Sequence, residues 1–472
     1  MKVSQGPVSQ SQLPTPVIYS RNQHSVSRSM IDPDALKIMY RLIHYGYKAY
    51  LVGGGVRDLL LHKKPKDFDI ATDATPRKVK AIFSNSRIIG RRFKLVHVFF
   101  RGNKIVEVAT FRDSSDEHEG DESSGDEGER KIIGDNRYGS EATDALRRDL
   151  TINGLFYDLA TFSIIDYVGG VRDLQSGIVR VIGDPDVRFA EDPVRLIRVV
   201  RHAARSGFQI DPECRESILR NAHLITESSS MRVFEEVKKD LTCGHFCTIL
   251  QLLHAHDLLP YLLPELAVDG GRLLRYGSRF SEALQRADEL VHAETPPAPT
   301  AVLALVALFA SGAIERSDPY GRDDTANSPT EFLKGCFDKL AVPRKERERV
   351  EHLLNIWFDL GSPPYSPERL GRALRRDGAE DLQPLLLMLG HPPISADLLA
   401  AARAARPVLE DGDAEYPGES RRRRRGGRGR RRGSPQAAAE APDGGAEAMP
   451  LAEEHTEQKH RRRRRRRRSV RE

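Results

Sequence analysis

Residues 50–76 read YLVGGGVRDLLLHKKPKDFDIATDATP, and the reading of this stretch decides the fold. An apolar run, Tyr50, Leu51 and Val52, is short enough for a strand and breaks at Gly53, Gly54 and Gly55. The chain continues through Val56, Arg57, Asp58 and Leu59 to Leu61 as a short helix, then returns as a second strand carrying Asp67 and Asp69. A strand, a glycine turn and a helix start leave backbone N–H groups bare, where a triphosphate fits. Side chains two apart on a strand share a face, so Asp67 and Asp69 project together while Phe68 turns to the core. Two adjacent carboxylates repel unless a cation lies between them. Mg²⁺ suits carboxylate plus phosphate oxygens, at roughly 2.0–2.1 Å in octahedral geometry. The pattern is not a dinucleotide fingerprint, because Asp58 occupies the sixth position from Gly53, and no Gly-Lys-Ser/Thr of a P-loop occurs.

Working outward, residues 34–45 place Ala35, Ile38, Met39, Leu42 and Ile43 on one helical stripe that packs on the sheet. Residues 86–100 are strand-like on either side of Gly90, Arg91, Arg92 and Phe93, a basic turn that either guides a primer end or incoming phosphate or simply joins two strands. In residues 105–111, alternation puts Ile105, Glu107, Ala109 and Phe111 on one face. An acid on an apolar face needs a partner, so Glu107 is a candidate third carboxylate of the metal cluster; an edge-exposed surface acid is the alternative. Residues 113–129 carry nine acidic residues and no Lys or Arg, so a disordered acidic loop is expected over 113–135. A Gly-Gly turn follows a strand in DYVGGVRDL, 166–174. Residues 191–205 read as a helix with Asp192 at the N-cap and Pro193 at N1, where Asp192 and Arg195 lie three apart on one side.

These segments carry a resemblance. GGGVRD at 53–58 followed by DFD at 67–69 resembles the head of the class II nucleotidyltransferases, the family that holds tRNA CCA-adding enzymes and bacterial poly(A) polymerases. IIGRRFKLVHV, EVATFR, RRDLTING, DYVGGVRDL, RVIGDP and EDPVRLIRVVRHAAR follow in the family's order, so the likeness covers residues 22–264. It implies that Asp67 and Asp69 hold Mg²⁺ and that Asp149 joins them and contacts the ribose. Gly53, Gly54, Arg57 and Asp58 would receive the triphosphate, with Arg148 and Asn153 alongside. Asp192 and Arg195 would hydrogen-bond the base edge, and Arg198 would face the triphosphate. The segment around Arg91 and Arg92 resembles the one that separates poly(A) polymerases from CCA-adding relatives, and 166–174 resembles the hinge between head and neck.

Length and composition set the frame. With 472 residues, 39% of them hydrophobic and 30% charged, the chain has room for two or three domains. The first thirty residues hold no apolar run for a signal peptide, and the longest such run, residues 301–310, is too short to span a bilayer. Four cysteines make no disulfide framework, which fits a reducing cytoplasm. Residues 419–472 carry nineteen Lys or Arg against eight Asp or Glu, so the net charge of +6 sits in the tail. Tracts containing Arg421 and Arg461 cannot fold but can neutralise RNA phosphates or meet RNA-degradation machinery.

The expected fold is α+β. A disordered segment (1–29) precedes a nucleotidyltransferase head with a small mixed β-sheet (30–182), an all-helical neck (183–260), a helical RNA-binding body (261–410) and a disordered basic C-terminus (411–472). The expected activity is that of a cytoplasmic, monomeric poly(A) polymerase adding AMP from ATP to RNA 3′ ends. A CCA-adding enzyme is the nearest alternative, and a non-catalytic RNA-binding scaffold the more distant one.

Overall fold

The computed structural model describes residues 13–90, 94–113, 138–294, 296–314 and 329–405. Arg91, Arg92, nearly all of the acidic segment, and the tail with Arg421 and Arg461 lie outside the described residues.

Eight strands form one mixed sheet: β1 (Val17–Tyr19), β2 (Ala49–Val52), β3 (Asp69–Thr72), β4 (Ser86–Ile89), β5 (Leu95–Phe99), β6 (Ile105–Thr110), β7 (Leu155–Asp158) and β8 (Ser163–Asp166). Their order is β1-β8-β7-β2-β3-β6-β5-β4, and only β3 and β6 run parallel. β1 lies within the stretch expected to be disordered; pairing of Val17 with Asp166 gives it an edge to dock on, which its polar surroundings in the sequence do not advertise. Helix α1 (Pro33–His44) starts at Asp32, whose side chain accepts from the N–H groups of Asp34 and Ala35, and buries Ala35, Ile38, Met39 and Leu42 as the periodicity predicts. Full burial of side chains such as Ile38 and Leu42 contributes about 1.5–3 kcal/mol each.

Alternation gives the sheet two faces. Leu51, Ile70, Val96, Val98, Val106 and Val108 join the main core. Tyr50, Val52, Ala71, Phe111 and Phe156 form a smaller cluster on the other side with Ala145. Tyr50 stacks on Phe111 at 5.9 Å, and Phe156 meets Tyr50 edge-on at 6.0 Å. Strand period two places Asp69 and Glu107 on this second side.

Four more helices complete the head: α2 (Gly54–Leu60), α3 (Pro76–Ile82), α4 (Glu141–Leu146) and α5 (Gly170–Ser176). The pentapeptide GVRDL occurs twice, at 55–59 in α2 and 170–174 in α5. β2 and β8 both pair antiparallel with β7, one on each side, and each feeds its copy through a glycine turn. Both helices pack on the turn Thr151–Asn153. In the second copy, Asp166 fills the turn: its Oδ1 accepts from the N–H groups of Val168, Gly169 and Gly170, and its Oδ2 from Val171. Leu51 stands at the matching position of the first copy, so no carboxylate occupies the turn at Gly53.

A short parallel pair, β9 (Ile178–Val179) and β10 (Gln209–Ile210), joins the head to the helices that follow, so the expected all-helical neck contributes one strand. Those helices are α6 (Pro185–Glu191), α7 (Val194–Ser206), α8 (Pro212–Asn221), α9 (Ser230–Leu241), α10 (Phe246–Ala255), α11 (Leu259–Leu262), α12 (Pro264–Gly271), α13 (Arg279–Leu290) and α14 (Pro299–Ala310). Five more follow, from Pro329–Lys339 to Ala396–Ala404. α14 is buried on nearly every side and forms the centre of this body. No helix among the described residues is long and apolar enough to cross a membrane.

Candidate active site

The sheet register builds the site. Val52, the last residue of β2, lies opposite Asp69, the first of β3, so the glycine turn begins where the carboxylates begin. Gly53 adopts φ 67° and ψ −134°, a conformation that any side chain would strain, and a Cβ there would lie 3.1 Å from Arg148 Nη1. β3 pairs with β6 through Ile70↔Val108, which sets Glu107 beside Asp69 one residue earlier. Asp67 lies two residues before Ala-facing β3 proper, outside the strand that was expected to hold both acids, because pairing with β2 stops at Val52↔Asp69.

Asp69 is reached by solvent, yet the protein around it, together with the carboxylates of Glu107 and Asp67, pushes its carboxyl up to about 6; Arg148 opposes the shift. Glu107 does not sit on a buried apolar face as alternation suggested. Val106, Val108 and Thr110 point to the core, Ile105 and Glu107 are exposed, and Glu107 takes His97 of β5 as its partner at 3.1 Å. Among the described residues no three His, Cys, Asp or Glu side chains close into a metal cage. The donors fit an open site instead. Asp67 and Asp69 offer hard oxygens, and like charges crowding Asp69 are what a divalent cation would relieve.

On the other side of the glycine turn lies a hydrogen-bonded network. Arg57, nearly buried, donates through Nε and Nη2 to Asp58 Oδ1 at 2.9 and 2.7 Å, and through Nη1 to Asn153 Oδ1 at 2.7 Å. The same Nη1 faces His202 Nδ1 at 3.3 Å. Arginine cannot accept, so this imidazole nitrogen presents its lone pair and the ring is neutral. Burial and the positive charge of Arg57 lower the His202 pKa, in agreement. Asn153 Nδ2 donates to Asp149 Oδ1 at 3.2 Å, and the backbone N–H of Leu150 donates to the same oxygen. Arg198 Nη2 lies 2.7 Å from Asp149 Oδ2, close enough for an ion pair though not aligned as a hydrogen bond. Burial opposes ionisation of Asp149, but Arg198 and these hydrogen bonds win and lower its pKa. Asp149 is therefore engaged with Arg198 of α7, and is not among the charges that act on Asp69.

Arg148 connects the two halves. Its Nε and Nη2 donate to Asp144 Oδ2 at 3.2 and 3.0 Å, its Nη1 reaches the carbonyl of Asn153, and its guanidinium lies 5.3 Å from the centre of the Phe156 ring. A cation thus stands beside both Gly53 and Asp69.

The segment of Asp192 and Arg195 departs from the single helix expected over 191–205. Glu191 ends α6 and does not start α7, because Asp192, at φ −147° and ψ 90°, breaks the helix between them. Arg195 turns back to Glu191 Oε2 at 3.1 Å and to the carbonyl of Arg188 at 2.9 Å. Asp192 Oδ2 instead accepts from Arg232 Nη2 of α9 at 3.0 Å. His97, His202 and Arg232 escaped the sequence reading. His202 lies four residues beyond Arg198 on one helical stripe, a usable signal; Arg232 is forty residues from its partner and offered none.

A glycine turn set against an aspartate-bearing strand and followed by a buried acid paired with an arginine of the next helix is an arrangement that suits nucleotide chemistry. Residues 49–180 match the family of the "Poly A polymerase head domain", and residues 207–269 match "Probable RNA and SrmB- binding site of polymerase A". Over these two segments the chain is similar to the class II nucleotidyltransferases. Poly(A) polymerase I of Salmonella typhi is 49% identical over 252 residues, covering 53% of this chain and 54% of that relative. A CCA-adding enzyme of Bacillus pumilus is 38% identical over 213 residues, 45% of this chain and 50% of the relative. The chain thus spans about half the length of the curated relatives it matches. Among solved structures, the Bacillus stearothermophilus CCA-adding enzyme in complex with CTP superposes with a TM-score of 0.58 at 29% identity, over 79% of this chain and 82% of that one.

Proposed function

We propose that this chain is a template-independent poly(A) polymerase, transferring AMP from ATP to the 3′ ends of RNA. The observation that carries the reading is the Val52↔Asp69 register, which sets the glycine turn beside an aspartate whose carboxyl is raised by burial and by its carboxylate neighbours. The 49% identity to Poly(A) polymerase I supports AMP as the transferred group.

The RNA 3′-oxygen attacks the α-phosphorus, a new P–O bond forms, and the bond to the β-phosphate oxygen breaks to release pyrophosphate. Asp67 and Asp69 would hold Mg²⁺, which supplies charge neutralisation at the α-phosphate and a more acidic 3′-hydroxyl. The backbone at Gly53 and Gly54 receives the triphosphate, with Arg148 beside it as the exposed end of an anchored cation. Arg57 and Asp58 stiffen α2 from behind, and Asn153 relays that order to Asp149, the acceptor for a ribose hydroxyl. Asp192 and Arg195 read the base edge. Positioning and charge stabilisation supply most of the acceleration in phosphoryl-type transfers. We further propose that the helical body and the basic tail hold RNA, that Arg91 and Arg92 guide its 3′ end, and that the protein works as a cytoplasmic monomer.

Purified chain is incubated with an unstructured RNA and each NTP separately. A long ladder with ATP alone supports the reading. Addition of CCA to truncated tRNA, without a ladder, would replace it by the CCA-adding alternative, which the likeness to the Bacillus stearothermophilus structure favours.

A further inference from the structure

Just beyond residues 207–269, α12 ends at Gly270 and Gly271, both at positive φ, and a 3₁₀ turn, Arg272–Leu274, leads into α13. The turn is anchored from inside. Leu274 and Phe280 are buried, Gln251 Nε2 of α10 donates to the carbonyl of Leu274 at 3.3 Å, and Ser278 caps α13 by accepting from the N–H of Ser281 at 3.0 Å. On this fixed base Tyr276 stands 90% exposed, the most exposed large apolar side chain among the described residues. A ring of that size is normally at least half covered, because its area dominates core energetics.

The ring's surroundings are cationic. Arg272, Arg275 and Arg279 are all exposed, and none makes an ion pair or side-chain hydrogen bond with any described residue. Glu282, three residues after Arg279 and well placed for a helical pair, does not engage it. Uncompensated guanidiniums around a bare aromatic ring on a rigid turn are what single-stranded nucleic acid needs: a π-face for a base and cations for the flanking phosphates.

We propose that Tyr276, framed by Arg272, Arg275 and Arg279, is a stacking platform for a base of single-stranded RNA upstream of the 3′ end being extended. This rests on the reading of RNA as substrate and adds a site that the matched RNA-binding segment, which ends at residue 269, does not include. The Arg272–Leu274 turn packs on α10, and α10 packs on α7, which carries Arg195 and Arg198. At 8–10 Å per packed helix pair, the platform stands about 20 Å from that helix, several nucleotides along the strand. Short primers therefore do not reach it.

The test uses the full chain as wild type, Tyr276→Ala and Tyr276→Phe, at about 0.2 M salt to mute the sequence-blind pull of the basic tail. Affinity for a single-stranded RNA long enough to span the site is read by fluorescence anisotropy, and 5-iodouridine in the same RNA is photo-crosslinked and mapped by mass spectrometry. The expected result is a crosslink at Tyr276, affinity lowered roughly five- to a hundredfold in Tyr276→Ala, and wild-type affinity in Tyr276→Phe, which keeps the ring. Extension of a dinucleotide primer should be the same in all three. Equal affinity of wild type and Tyr276→Ala, or crosslinks mapping only elsewhere, overturns the platform and leaves the RNA reading standing. A wild-type chain that binds no RNA overturns both.

Discussion

Arg232 reaches from α9 to one oxygen of Asp192 on the neighbouring chain break: Nη2 lies 3.0 Å from Oδ2, while Asp192 Oδ1 is buried without a hydrogen-bond partner. The carboxylate is thus held by one oxygen, while the other is covered by protein. Arg232 itself is 60% exposed, so the pair adds little to stability. Replacing Arg232 by Met should leave the melting temperature within about 2 °C and reduce the preference for ATP over other nucleotides about tenfold. Arg232→Lys should recover part of that preference. Competitive incorporation assays read the ratio, and an unchanged ratio in Arg232→Met removes the positioning role.

Asn153 links Arg57 to Asp149, accepting from one and donating to the other. Asn153→Leu preserves size but deprives a buried guanidinium and a buried carboxylate of a partner each. The expected loss is about 2–4 kcal/mol by denaturant unfolding, with a raised KM for ATP. A variant as stable as wild type would mean the network closes around the gap.

Asp166 closes the second GVRDL turn through four backbone N–H groups. Asp166→Ala strands these donors at a site only 2% exposed, and a loss of about 3 kcal/mol or more is expected. Because the turn proposed to receive the nucleotide is the other copy, kcat at low temperature should stay near wild type. Equilibrium unfolding and initial rates on the same preparation separate the two effects.

Asp69 gives a pH signature. A carboxyl raised in the folded state from its ordinary value near 3.9 to about 6 makes the fold favour the proton, so its contribution to stability declines as pH rises from about 4 through 6. A divalent cation reverses this by pairing with the ionised form. Thermal shift on adding Mg²⁺ should be small at about pH 5 and full at about pH 7.5. Asp69→Asn should raise the metal-free melting temperature at about pH 7.5, abolish the Mg²⁺ response, and lower turnover at least about a hundredfold. A Mg²⁺ shift that survives in Asp69→Asn would place the cation elsewhere.

Much of the head could be read from the chain because its key demands are local. Gly53 must be glycine to reach φ 67°, α1 announces itself by Asp32, Pro33 and a clean apolar stripe, and the DFD spacing marks the strand that carries Asp69. Where reading went astray, the missing information was which face or partner a residue would meet. Glu107 was assigned an apolar face by alternation, but alternation gives two faces and not which one is covered. Glu191 was read as the start of one helix running to Arg205, whereas it ends α6 and Asp192 lies in the break before α7.

Residue type alone determined where the backbone turns, caps and breaks, since φ preference and the missing N–H of proline belong to single residues. Only tertiary packing decided the charge pairs: it brought Arg57 to His202 across 145 positions and Arg232 to Asp192 across 40. Coulomb and hydrogen-bond energies depend on distance in space, and no local rule encodes that distance for groups so far apart in the chain.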